Sequence, residues 1–189
     1  MSRYSYSHDP DQSPMENFEG VSVCDALGKV IIAFEQLDEM LATSISFLLR
    51  RGDEVGRIVT ARLSFGAKVA MFGALFKAHR PQSSILDLID ELCAACRQIE
   101  EERNKIVHSK WSNTLDNKAL SRSKFTARAK HGLKEATDTW EPGHFISLEN
   151  HCYYLAHEID SWMFSEYGKE YAPMEDDPLT PGDDQTAEP

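Results

Sequence analysis

The chain has 189 residues, a net charge of −11 at pH 7 and a hydrophobic fraction of 41%. A chain of this length buries roughly 70% of its unfolded surface in one domain, so folding requires no disulfide or metal staple. Four cysteines are too few for a disulfide scaffold. Residues 1–8 lack the apolar core of a signal peptide, and no apolar run in the first helical segment approaches the roughly 20 residues of a membrane span. The composition disfavours secreted and membrane-inserted proteins, and we expect a cytoplasmic location.

Charge is unevenly distributed along the chain. The segment 103–134 contains nine basic residues and one acidic residue, hence +8, whereas the rest of the chain carries −19. A local basic segment on an acidic protein suits the docking of phosphates, although a solvated loop that balances acidic helices would have the same composition. Residues 1–20 and 172–189 are polar and are predicted to be a disordered N-terminal arm and a disordered acidic tail. A single helical domain is predicted for residues 21–171.

Four segments of this domain have the apolar periodicity of helices. In the first, the steps between apolar residues are all three or four from Leu27 to Leu48, which is typical of a helix that packs on a core. Gly66 and Gly73 lie seven positions apart on one face of the second helix and would allow another helix to approach closely. Ser147 is a candidate N-cap for the fourth helix, which Gly168 ends. The predicted helices span residues 24–51, 53–79, 83–109 and 147–167.

The stretch 111–145 does not follow the helical pattern. Residues 125–130 alternate in polarity as a short strand does, residues 131–132 suit a turn, and residues 137–140 suit a partner strand. We therefore predict an all-α fold, an antiparallel bundle of four and at most five helices. A long basic loop or a small hairpin is predicted between the third and fourth long helices, and connections of this length are more often functional than accidental.

Arg103 is anomalous because the stripe of the third helix predicts an apolar side chain at its position. A guanidinium on an apolar face is costly unless a carboxylate pairs with it or an anion binds it. Glu100, Glu101 and Glu102 are the nearby candidates for pairing.

Asn104 and His108 share one face of the same helix, so the amide could orient the imidazole. Arg103 and His108 lie about 140° apart around the helix, so one copy cannot easily direct both side chains at one phosphate. A two-fold dimer would bring two Arg and two His side chains into one cleft. Imidazole can accept the proton of a ribose 2′-hydroxyl near neutral pH, and arginine can stabilise charge that develops on a phosphodiester.

The residues Glu-Arg-Asn-Lys-Ile-Val-His-Ser-Lys-Trp at 102–111 resemble the signature of the HEPN superfamily (higher eukaryote and prokaryote nucleotide-binding domains). That signature is an Arg, usually followed by a polar residue, with a His after four to six intervening positions. The resemblance covers about residues 22–168. It implies a metal-independent endoribonuclease that acts as a homodimer on RNA without a cofactor, often as a toxin or defence protein with an antitoxin partner.

The resemblance also implies roles for individual residues. Arg103 would contact the scissile phosphate, His108 would be the acid and base, and Asn104 would support the site. One HEPN subgroup has a modifiable Tyr two positions after the His, whereas this chain has Lys110 there, so silencing by that route is not expected. The residues predicted to contact RNA are Lys105, Lys110, Trp111, Arg122, Lys124 and Arg128.

Other functions remain as alternatives. HEPN domains also serve as non-catalytic modules that bind a nucleotide or a protein, so the fold does not settle activity. Cys93 and Cys96 form a CxxC inside a helix and are interpreted as core residues, since no second ligand pair accompanies them. A metal-dependent bundle enzyme would need paired Glu-x-x-His motifs, which the acidic and histidine residues at 149–158 do not form. No metal site is predicted.

Overall fold

The computed structural model describes residues 23–50, 53–113, 119–128 and 132–171. The predicted N-terminal arm and acidic tail lie outside these residues. The described chain is mostly helical, with a small sheet between the last two helices. The elements are α1 (Val23–Leu48), α2 (Asp53–Thr60), α3 (Phe65–His79), α4 (Leu86–Val107), β1 (Lys110–Asn113), β2 (Leu120–Arg128), β3 (Gly132–Trp140), α5 (Pro142–Tyr167) and a short 3-10 helix (Gly168–Tyr171).

The core lies between α1, α3, α4 and α5. The predicted stripe of α1 is confirmed, since its central positions Leu37, Leu41 and Ile45 are completely buried. Ile99 on α4 and Leu155 on α5 are equally buried, as their helical spacing predicts. Each helix therefore contributes one apolar stripe to a common core, as in helical bundles generally.

The second predicted helix is in fact two helices, with a break at residues 61–64. α2 lies so close to α1 that a Cβ atom on Gly56 would fall 2.3 Å from the Cβ of Ser46. α3 begins after Ser64, whose Oγ accepts a hydrogen bond from the amide of Ala67. The apolar positions of the sequence continue from α2 into α3, so the periodicity did not indicate this break.

Close approach of α3 and α4 through the two glycines is confirmed. A Cβ on Gly66 would lie 3.1 Å from Oε2 of Glu100, and a Cβ on Gly73 would lie 3.1 Å from Sγ of Cys93. Both contacts are with α4. The seven-residue spacing therefore marks the line along which the two helices touch.

The prediction of an all-α fold is corrected by a three-stranded antiparallel sheet in the order β1-β2-β3. The predicted hairpin is confirmed with longer strands, in which Leu120 lies opposite Trp140 and Arg128 opposite Gly132. Residue 131 of the predicted turn lies outside the described residues. β1 was not predicted because its four residues are too few to show alternation.

The sheet is attached to the bundle by aromatic side chains. The ring of Trp111 lies 5.4 Å from that of Trp140 and 5.5 Å from that of Phe145, measured between centroids. α5 begins at Pro142, before the predicted start, because proline is preorganised for the first helical turn. The prediction of Ser147 as N-cap is therefore wrong.

None of the helices in the described ranges has both the length and the apolar character needed to cross a membrane.

Candidate functional site

Arg103 lies half-buried near the end of α4. Its Cζ is 4.9 Å from the ring centroid of Phe34 on α1, and Nη1 donates a hydrogen bond of 3.2 Å to Oδ1 of Asn104. Its Nε is buried and has no hydrogen-bond partner among the described residues. Stacking on an aromatic ring thus accommodates the guanidinium on a face where the sequence predicts an apolar residue.

Pairing of Arg103 with a neighbouring glutamate is not what the structure contains. Glu102 pairs with Lys105, three positions along the helix, and Glu101 is exposed to solvent. Within the described ranges Arg103 makes no ion pair. Its charge is therefore available to a bound molecule.

Arg103 lines an open cleft of about 250 Å³, which we call the Arg103 cleft. The cleft lies between α1, the start of α3 and the last turns of α4. Its walls combine aromatic, aliphatic and carboxylate side chains. The lining residues are Phe34, Glu35, Asp38, Leu63, Ser64, Phe65, Glu100 and Arg103.

The cleft contains more negative than positive charge. Asp38 accepts a hydrogen bond of 2.5 Å from Nζ of Lys68, whose side chain is only 10% exposed. Glu35 and Glu100 make no ion pair among the described residues. Two unpaired carboxylates thus face one guanidinium, and this excess disfavours an anionic ligand.

His108 is the C-cap residue of α4, and its side chain is exposed. Its backbone N–H donates to the carbonyl of Asn104 at 3.1 Å, whereas the Asn104 side chain accepts from Arg103. The expectation that Asn104 orients the imidazole is therefore replaced by one in which it orients the guanidinium. His108 is also not among the residues that line the Arg103 cleft. A site that uses both side chains on one phosphate would need a second subunit.

Arg122 is used within the fold. It is buried in the sheet, and its Nε and Nη2 each donate a hydrogen bond of 2.6 Å to Asp138 on the adjacent strand. This pair raises the pKa of Arg122 and lowers that of Asp138. Nη1 also reaches Oγ of Ser109, at 3.4 Å. The prediction of Arg122 as an RNA contact is corrected to a structural role that ties the strands to the end of α4.

The other predicted RNA contacts differ in exposure. Lys105 is held by Glu102, Lys110 is exposed on β1 and Lys124 is half-buried on β2. Arg128 ends β2, and its side chain lies outside the described part of the structure. Lys110 and Lys124 therefore remain as candidates for backbone contacts.

Trp111 packs between the sheet and α5 and is half-buried. Its Nε1 donates a hydrogen bond of 2.9 Å to the carbonyl of Ile106, in the last turn of α4. The ring packing and the hydrogen bond are both structural, since together they join the end of α4 to the sheet. The prediction of Trp111 as an RNA contact is corrected to this structural role.

Cys93, Cys96 and Cys152 are core residues, which confirms the interpretation of the CxxC. Burial raises the pKa of Cys93 to about 11 and that of Cys152 to about 12, and raises that of Cys96 well above its usual value. These thiols stay protonated at neutral pH and are poor nucleophiles. No group of three or more His, Cys, Asp or Glu residues within the described ranges could hold a metal ion.

Sequence patterns alone did not indicate most of the cleft. Asp38 and Ser64 come from elements distant in sequence from Arg103, and no motif connects them. The pairing of Asp38 with Lys68 joins residues 30 positions apart. Only the interruption of the α4 stripe marked the location, and it did so through Arg103 itself.

Comparisons of the chain with protein-family models, with curated proteins and with solved structures gave no match. Function is therefore inferred from the residues of this chain.

Proposed function

We propose that the protein is a metal-independent endoribonuclease of HEPN type that acts as a homodimer. The observation that supports this most is the state of Arg103, a half-buried guanidinium that lines an open cleft without a carboxylate partner. Such a group costs folding free energy, and a ligand that binds it offsets the cost. In the same proposal the protein is a cytoplasmic toxin or defence protein that an antitoxin protein silences.

His108 is the proposed proton-transfer group. Its exposure at the end of α4 leaves the imidazole accessible to a bound RNA strand. The imidazole removes the proton of a ribose 2′-hydroxyl, and the oxygen forms a bond to the adjacent phosphorus. The bond to the 5′-oxygen breaks, and that oxygen takes a proton from a water molecule, to which the imidazolium returns the proton it removed. The products are a 2′,3′-cyclic phosphate and a 5′-hydroxyl.

The two-fold axis supplies what one copy lacks. Since His108 does not line the Arg103 cleft, the cleft of one subunit would hold RNA for the imidazole of the other. Lys110 and Lys124 are placed on the adjoining sheet, where they would contact the RNA backbone.

The test is cleavage of single-stranded and structured RNA in EDTA by the wild type, Arg103→Ala and His108→Ala. His108→Ala should lose at least about 100-fold in rate, the usual effect of removing a general acid or base. Arg103→Ala should lose a similar factor, because the guanidinium that binds the RNA is absent. Arg97→Ala is the matched control, because Arg97 is an exposed arginine on the same helix. Equal cleavage by all four proteins would contradict the proposal.

A mixture of the two inactive variants tests the composite site. A heterodimer of Arg103→Ala and His108→Ala subunits contains one intact site, so mixing should restore about one quarter of the wild-type rate. No recovery, with exchange of subunits demonstrated, would place both side chains of each site in one subunit.

The second candidate function is a non-catalytic binding module. It is favoured by the unpaired carboxylates of Glu35 and Glu100 in the Arg103 cleft, which repel RNA phosphates and suit a cationic side chain of a protein partner. Expression in cells separates the two functions. Toxicity that His108→Ala relieves supports the ribonuclease, and harmless expression together with an absence of cleavage supports the module.

A further inference from the structure

The excess of carboxylates in the Arg103 cleft identifies the kind of RNA group that fits there. Phosphate would approach Glu35 and Glu100, neither of which has an ion-pair partner in the described structure. A nucleobase has no net charge and escapes this repulsion. We propose that the Arg103 cleft binds an unpaired guanine base next to the cleaved bond. This rests on the proposed ribonuclease function, and it moves Arg103 from the scissile phosphate to the neighbouring base.

The guanidinium of Arg103 provides the stacking surface. One face lies over the ring of Phe34, at 4.9 Å, and Asn104 fixes the orientation of the plane through Nη1. Unpaired RNA bases commonly stack on guanidinium planes as well as on aromatic rings. A base on the other face of Arg103 would extend the stack that Phe34 begins.

Glu100 provides the selectivity. An ionised carboxylate only accepts hydrogen bonds, and its two oxygens match two adjacent donors. Guanine has such a pair, N1–H and the 2-amino group, whereas adenine and cytosine each offer one amino group beside an acceptor. Uracil offers one N–H between two carbonyls, which a carboxylate repels. Glu100 is half-buried against Gly66, so its position is restrained by α3.

The volume of the cleft fits a single base. At about 250 Å³ it is smaller than the roughly 300–1,000 Å³ typical of sites for drug-sized ligands. The ribose and phosphates would remain outside, toward Ser64, which is exposed.

The test is binding of guanosine, which has no phosphate, to the full-length protein, monitored by calorimetry or by NMR. Guanosine should bind roughly tenfold more tightly than inosine, which lacks only the 2-amino group, and also more tightly than adenosine. Glu100→Gln should weaken guanosine binding by a similar factor. Glu101→Gln should leave it unchanged, because Glu101 is the exposed neighbour on the same helix.

Equal affinity for guanosine and inosine would overturn the inference without any variant. Displacement of bound guanosine by inorganic phosphate would also overturn it. So would a protein that binds an arginine-rich peptide through Glu100 and does not bind guanosine. If Glu100→Gln fails to fold, Glu100→Asp gives the same information, since the shorter side chain withdraws the carboxylate from the two donors of the base.

Cleavage separates this inference from the proposed function. If the protein cleaves RNA without any preference for guanine at the cut and does not bind guanosine, the ribonuclease proposal stands and the base-pocket inference is wrong. If guanosine binding depends on Glu100 but the protein cleaves no RNA, the base-pocket inference stands and the ribonuclease proposal is wrong. His108→Ala should abolish cleavage and leave guanosine binding intact.

Discussion

The guanidinium of Arg103 lies over the ring of Phe34, with 4.9 Å between Cζ and the ring centroid. Phe34 in turn contacts the ring of Phe65, 4.5 Å away, so α1, α3 and α4 meet at this point. An arginine here stabilises the packing through its planar face, while its charge stays unneutralised by any carboxylate of the described structure. At this interruption of the α4 stripe, Arg103 therefore contributes to packing through its plane and to the proposed function through its charge.

Replacement of Arg103 by methionine should separate these two effects. Arg103→Met keeps an unbranched chain against Phe34 and removes the buried, unpartnered Nε. We expect the free energy of unfolding to stay equal or to rise by up to about 1 kcal/mol, while RNA cleavage falls at least about 100-fold. Urea denaturation and cleavage assays measure the two effects. A loss of more than about 2 kcal/mol would mean that Arg103 is mainly structural.

Gly56 should not tolerate a side chain. In Gly56→Ala the new Cβ would meet the Cβ and Oγ of Ser46 at 2.3 Å, so α2 must move away from α1. We expect a loss of about 1–3 kcal/mol in the free energy of unfolding.

Gly28→Ala is the matched control for this effect. Nothing lies within 4 Å of a Cβ at Gly28, which is in α1. There the substitution should stabilise the protein by up to about 1 kcal/mol through helix propensity. Similar thermal denaturation of the two variants would refute the close packing of α2 on α1.

The ion pair between Arg122 and Asp138 should make stability depend on pH. Arg122 holds the pKa of Asp138 below its usual value, so the folded state favours the ionised carboxylate. The stabilisation is complete above the unfolded pKa of about 3.9 and is lost as the pH falls through the lower folded pKa. Asp138→Asn should cost about 1–2 kcal/mol at pH 7, because the substitution leaves a buried guanidinium without its partner.

The difference between wild type and Asp138→Asn should therefore shrink as the pH falls below about 4. Asp90→Asn is the control, since its pair with Lys77 is exposed on both sides and should contribute at most about 0.5 kcal/mol. Denaturant titrations at several pH values measure both. A difference that persists unchanged at low pH would show that the carboxylate charge is not what stabilises the sheet.

The buried thiols should be unreactive in the native protein. Cys93, Cys96 and Cys152 are buried, and burial raises their pKa values, to about 11 for Cys93 and about 12 for Cys152. In a Cys24→Ser background, an aromatic disulfide reagent at pH 8 should label none of these three thiols until denaturant is added. Rapid labelling of Cys93 in native conditions would contradict the interpretation of the CxxC as core residues.

The helices with apolar stripes that repeat every three to four residues could be predicted from the sequence. The stripes of α1, α4 and α5 are local patterns, and any chain that buries one face of a helix must repeat them. The same periodicity singled out Arg103, and the seven-residue spacing of Gly66 and Gly73 marked the contact of α3 with α4. The hairpin of β2 and β3 was indicated by alternation, although its extent was underestimated.

The contacts between these elements could be seen in the tertiary structure alone. The packing of Gly56 on Ser46 holds α2 against α1, and the state of Arg103 follows from a ring on another helix. The pairing of Arg122 with Asp138 likewise depends on strand register. Such contacts join residues that are far apart in sequence, so no local pattern records them. The apolar periodicity of a helix reflects the burial of one of its own faces. The Arg103 cleft, in contrast, is formed by residues of several elements.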